Sequence, residues 1–245
     1  MSLNLLFLLI KVPMYFKSKS LFLKIVYISL FAISLGYIET AVVIYLRMQY
    51  FPNVFYFTLN NVIPNNVLII EIFREISTIA IFLSMAAIST KKFIERFASF
   101  LLIFALWDIF YYIFLKIILG WPVSILDKDI LFLIPIPWVA PVLAPIIVSV
   151  TFIILSISIY YLIYKNPAFN NLGKMEWTFF LLASFLIFCS FISEYLFYRF
   201  ENLDLVKKIN LVSTFNSNIL LWIIFIVGEF FLISVIILLL IRKKQ

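Results

Sequence analysis

Six stretches of nearly unbroken apolar residues, at about 21–47, 66–90, 97–119, 139–164, 176–198 and 219–241, alternate with short polar connections. At 1.5 Å of rise per residue, each is long enough as a helix to cross roughly 30 Å of hydrocarbon. The runs are continuous and lack the period-two alternation of membrane β-barrel strands. The pattern therefore predicts an all-α, polytopic membrane protein, with six spans forming a single domain over 21–245. Composition agrees, because 65% of the 245 residues are hydrophobic and mean hydropathy is +1.16, leaving too little polar surface for a soluble chain.

Residues 1–20 form a separate basic segment. Leu5 to Ile10 has the look of a signal-peptide core, but Lys11, Lys17 and Lys19 follow where small residues and a cleavage site belong. The segment is expected to be retained as an amphipathic stretch in the interface, broken at Pro13, with a seventh short helix as the alternative.

Lys and Arg concentrate in cytoplasmic loops, so their distribution sets orientation. With the N-terminus inside, the inner side carries Lys11, Lys17, Lys19, Lys24, Lys91, Lys92, Arg96, Lys165, Lys174, Arg242, Lys243 and Lys244. The outer side carries Arg47, Lys116, Lys128, Arg199, Lys207 and Lys208. This bias predicts both termini in the cytoplasm of a cell-membrane protein. The net charge of +7 then reads as inner-leaflet anchoring on anionic lipid, with membrane lipids as partners and no call for nucleic acid.

An ion in hydrocarbon is expensive unless paired or hydrated, so charges within the apolar runs mark candidate sites. They are Glu39 in the first span, Glu71, Arg74 and Glu75 in the second, Asp108 in the third, Glu194 in the fifth and Glu229 in the sixth. In the predicted orientation all lie between mid-bilayer and the outer face, which implies a polar chamber open to the outside. Glu71 and Glu75 share a helix face about 6 Å apart, with Arg74 beside them as the obvious internal cation. Either the three form a purely structural cluster, or they also serve a substrate, ion or proton. Asp108 and Tyr112 lie on one stripe with Lys116; Asp108 and Lys116 are two turns, about 12 Å, apart and need separate partners. Arg74 is the expected partner of Asp108, and Lys116 is free to snorkel to the interface. Glu229, beside Gly228, has no basic residue within reach on its own helix, so it is protonated or paired to another helix.

The connection 120–145 holds five of the nine prolines, Pro122, Pro135, Pro137, Pro141 and Pro145. Asp127 and Asp129 precede an apolar Leu131 to Ile134 that is too short to span, and Trp138 follows the proline break. The expectation is a re-entrant or interfacial segment before the fourth span, with Asp127, Asp129, Pro137, Trp138, Pro141 and Pro145 as gate or lining residues. Pro137, Pro141 and Pro145 would fall on one helical face, each freeing a carbonyl one turn earlier, as in the discontinuous helices of transporters.

The absence of His excludes imidazole catalysis and His-ligated metals, and the lone Cys189 excludes an intrachain disulfide. Four scattered Gly exclude a phosphate loop, and no cofactor or resident metal is expected. Arg74-Glu75-Ile-Ser-Thr78 resembles half of the Arg-Glu-x-x-Glu motif of high-affinity iron permeases, and Glu39-Thr40-Ala-Val-Val is similar to residues that follow the motif's second acid. Thr78 stands where that acid belongs, and the family is not assigned. Three functions fit the sequence: a permease or channel for a cation, proton-coupled or small polar solute; a membrane enzyme acting on a lipid or isoprenoid at the outer leaflet; or an accessory subunit packed against other membrane subunits.

Overall fold

The computed structural model describes residues 19–50, 64–166, 168–197 and 219–242. The N-terminal segment proposed over 1–20 thus lies almost wholly outside the described residues, as do Arg199, Lys207 and Lys208. Six helices are described: α1 (Lys19–Tyr50), α2 (Asn65–Ser89), α3 (Phe93–Leu119), α4 (Leu143–Lys165), α5 (Lys174–Phe197) and α6 (Ile219–Arg242). All but α2 are long and apolar enough to cross a membrane, as befits a helical membrane protein.

One short element lies outside the helices of this all-helical chain. Between α3 and α4, β1 (Lys128–Phe132) pairs antiparallel with β2 (Trp138–Pro141), in the register Lys128↔Pro141, Asp129↔Ala140 and Ile130↔Val139, with an irregularity before Phe132↔Trp138. Pro135 and Pro137 occupy the connection, where their missing amides break no ladder bond. The hairpin corrects the proline stripe and moves the start of the fourth span a few residues on. Pro137 and Pro141 lie in the hairpin, and α4 begins only at Leu143. Pro145 sits in the first turn, where amides have no intrahelical acceptor in any case, so it frees almost nothing.

Helix α3 is the axis of the bundle, packing against α1, α2 and α4, while α6 joins α4 to α5. The α1–α3 contact follows a stripe of small and β-branched residues, Ile28, Ala32, Gly36, Thr40 and Ile44, at helical spacing. At Gly36 a Cβ would stand 2.9 Å from the Trp107 carbonyl oxygen, so the backbones meet only because this residue has no side chain. One turn on, the Thr40 hydroxyl lies 2.8 Å from the Gly36 carbonyl and 3.2 Å from that of Tyr111.

The end of the bundle away from the hairpin is tightly packed and closed by polar contacts. Lys24 pairs with Glu95, which also accepts from Thr90 at 2.7 Å. Ser99 contacts the Tyr160 hydroxyl at 2.7 Å and the Ser89 hydroxyl at 3.0 Å. The Lys24–Glu95 pair joins two helices that are 71 positions apart in the chain, beyond any local pattern.

Candidate functional site

The hairpin end holds a cavity of about 260 Å³, walled by the hairpin and by residues of all six helices. Its polar wall comes from Glu39 of α1, Arg74, Glu75 and Thr78 of α2, Asp108, Tyr111 and Tyr112 of α3, and Asp129 of β1. The apolar part of the lining includes Phe104, Phe152, Ile187, Phe188, Phe191 and Leu232. Helix α2 brings the ionisable cluster, whereas α5 and α6 contribute mainly apolar side chains.

Arg74 is the hub of the polar wall. Its Nε and Nη2 both lie 2.8 Å from Glu71 Oε2, and its Nη1 bonds Glu39 across the helix interface. The expected Arg74–Asp108 pair is therefore not formed. Arg74 is committed to two closer carboxylates, and Asp108 accepts instead from the Ser149 hydroxyl of α4 at 2.8 Å. Among the described residues, no Lys or Arg makes a salt bridge to Asp108. Glu75 turns the other way, receiving the Leu133 amide of the hairpin connection at 2.9 and 3.1 Å.

A second charged group holds the hairpin. Arg47, at the end of α1, places Nη2 3.6 Å from Asp129 Oδ1 and its guanidinium carbon 4.3 Å from the centre of the Trp121 ring. The Tyr112 hydroxyl donates to Asp129 Oδ2 at 3.2 Å. Asp129 lies outside the spanning helices. Burial pushes its carboxyl above the usual carboxylate range, opposed by the Arg47 guanidinium and the Tyr112 hydroxyl. Arg47 was missed as a site residue because it was counted as an outer-loop charge. The signal was present, since it continues the buried stripe of Thr40 and Ile44.

Not all sequence candidates reach the cavity. Trp138 and Pro145 line it. Asp127 organises the preceding turn instead, accepting the amides of Val123 at 2.8 Å and Ser124 at 3.0 Å. Pro137 and Pro141 are buried within the hairpin and do not line the cavity. Glu71 acts through Arg74. Glu229 is buried against α4, accepting from the Thr151 hydroxyl at 3.0 Å, and is not part of the lining. Glu194 falls on α5, but its side chain lies outside the described residues. Lys116 donates to the carbonyls of Gly120 at 3.1 Å and Pro122 at 2.7 Å, tying down the end of α3. Gly120 permits that ending, with φ of 69° in the left-handed region.

The hydrogen-bonding state of two tryptophans, one of them the sequence candidate Trp138, was not legible in the sequence. The indole nitrogens of Trp107 and Trp138, both cavity residues, are buried without a hydrogen-bond partner. Both nitrogens are closed off by the surrounding packing and are not open to the cavity itself. Among the described residues no three acidic or thiol side chains gather to hold a metal ion. Comparison with protein-family models, curated proteins and solved structures finds no match.

Proposed function

We propose that this chain is a permease or channel-like protein of the cell membrane, with six spans and both termini cytoplasmic. In this reading α2 is the sixth span, and the hairpin is a re-entrant element gating a cavity open to the outer side. The site takes a cation, a proton-coupled solute or a small polar solute.

The charge balance carries this reading. Four carboxyl groups, Glu39, Glu75, Asp108 and Asp129, line the cavity with one guanidinium group, Arg74, while Glu71 and Arg47 stand outside the lining as the partners of Arg74 and Asp129. An excess of three carboxyl groups in such surroundings is relieved by protonation or by a bound cation. Both are steps that coupled transport uses. The hairpin suits a gate because two charged contacts, Glu75 to Leu133 and Arg47 to Asp129, fasten it to α2 and α1.

The test is electrogenic response in proteoliposomes adsorbed on a sensor, challenged with concentration jumps of protons, sodium, potassium and small amines. A charge displacement that disappears in a monodisperse Asp108→Asn, Glu75→Gln double variant is the expected result. Silence toward every solute would remove the transport reading.

One observation favours a second reading. The aromatic and aliphatic part of the lining would accommodate an acyl or isoprenoid chain. An enzyme acting on such a substrate would use Glu75 and Asp108 as acid and base, with Arg74 near an anionic head group. Turnover of a lipid by the purified protein, lost in Asp108→Asn, would replace transport with this chemistry.

A further inference from the structure

We infer that Glu229 is a proton-binding site separate from the cavity, a neutral carboxylic acid whose proton holds α6 against α4. The inference goes beyond the proposed function. Glu229 does not line the cavity, so the site stands whether that cavity serves transport or catalysis.

The surroundings of Glu229 offer nothing that would neutralise a carboxylate. The residue is 6% exposed; its Oε1 is buried without a hydrogen-bond partner, and its Oε2 meets the Thr151 hydroxyl at 3.0 Å. The salt bridges among the described residues join Lys24 to Glu95, Arg47 to Asp129 and Arg74 to Glu39 and Glu71, and none reaches Glu229. Packing closes the adjoining side. A Cβ on Gly228 would stand 2.8 Å from Ile187 Cγ1 and 3.3 Å from the Ala183 carbonyl oxygen, so α5 and α6 meet there at backbone distance. An ionised carboxyl within an apolar span requires a cation or water, and a single hydroxyl replaces neither.

Counting hydrogens leads to the same state. Thr151 has one hydroxyl hydrogen, and its oxygen lies 3.0 Å from both the Ile147 carbonyl oxygen and Glu229 Oε2. A carbonyl oxygen only accepts. With the hydroxyl hydrogen given to Ile147, the back-bond that helical threonines form, the Thr151 oxygen is left to accept, and the donor is the Glu229 O–H. One proton thus satisfies both side chains and ties together helices 78 positions apart in the chain. Helix α4 makes separate use of its two hydroxyls: Ser149 serves Asp108 on α3 at the cavity, and Thr151 serves Glu229 on α6 behind it.

The test is infrared difference spectroscopy of the full chain reconstituted in lipid, read at the carbonyl stretch of protonated carboxyl groups. At neutral pH, Glu229→Gln should remove the intensity of one carboxyl group from that band. Thr151→Val keeps the shape of the side chain and removes the hydroxyl. It should retain the intensity and move it to higher frequency, as a carboxyl group freed of its hydrogen bond does. Cooperative melting shows that each variant is folded, and if Glu229→Gln does not fold, the Thr151→Val shift decides. No loss of intensity in folded Glu229→Gln, or an unmoved band in Thr151→Val, overturns the inference.

Proton release supplies a second readout. Raising the pH until the Glu229 band vanishes should lower the melting midpoint of wild type more than that of Glu229→Gln, whose side chain stays neutral. The other titratable groups of the helices packed on α6 are the same in both proteins. On α4 they are Tyr160, Tyr161, Tyr164 and Lys165, toward the end away from the hairpin, and on α5 they are Lys174, Glu176, Cys189, Glu194 and Tyr195. Equal falls in the two midpoints would overturn the role of this proton in holding α6 to α4.

Discussion

Both carboxylate oxygens of Glu75 lie within hydrogen-bond reach of the Leu133 amide, at 2.9 and 3.1 Å, so one side chain of α2 holds the connection between β1 and β2. A hydrogen bond to a charged acceptor contributes about 1.5–3 kcal/mol. Glu75→Ala should therefore raise amide exchange in the 130–137 segment by about tenfold or more, while Glu75→Gln, which keeps a carbonyl acceptor, should raise it less. Exchange-mass spectrometry of the folded protein checks this. Equal protection in wild type and Glu75→Ala would mean that the hairpin stands without its latch.

Arg74 serves two carboxylates on two helices, so removing it strands both Glu39 and Glu71. Breaking a buried pair costs about 3–5 kcal/mol, and the lower end applies here because the Arg74 side chain is 23% exposed. Arg74→Leu should lower the midpoint of thermal unfolding in mild detergent, and adding Glu39→Gln should restore part of it. A single variant as stable as wild type would show that the cluster is hydrated and contributes no net stability.

Asp129 supplies a pH prediction. Burial raises its carboxyl in the folded state, so between the usual carboxylate value and the raised one the folded chain binds more protons than the unfolded chain. Stability therefore falls as pH rises through that window. Asp129→Asn should flatten the acid side of the stability profile. Arg47→Met, which removes the opposing charge, should extend the fall to higher pH. Unfolding midpoints measured across the acidic range would reveal either change, and identical profiles for all three proteins would exclude Asp129 as the titrating group.

The helices were legible because span length and hydropathy are local properties, and α2 emerged at Asn65–Ser89 against an expected 66–90. The gathering of Glu39, Glu75 and Asp108 around one cavity followed a cruder argument, that several charges at similar depth share one polar interior, but the same argument placed Glu71 and Glu229 there, and the structure pairs the first with Arg74 and buries the second against α4. Their pairing was not legible. Whether Arg74 meets Asp108 or Glu39 depends on the approach of α1 to α3, set by Gly36, and no spacing within α2 encodes it. The strand pairing between α3 and α4 was hidden for a related reason. Its strands are five and four residues long, and prolines at spacing four imitate a helical face when read without the pairing partner.

Orientation remains a matter of loop charge, and labelling settles it through two exposed connections. Ser124 lies in the turn before the hairpin and Asn170 in the connection between α4 and α5, at the opposite ends of α4. In a Cys189→Ser background, Ser124→Cys should react with a membrane-impermeant maleimide added to intact cells. Asn170→Cys should react only after the membrane is opened. The charge bias predicts this pattern because the 165–174 connection carries two lysines at its ends and the ends of α1 and α3 away from the hairpin carry Lys24, Lys91, Lys92 and Arg96. The converse pattern would turn the cavity toward the cytoplasm, so that the same carboxyl groups would be reached from inside.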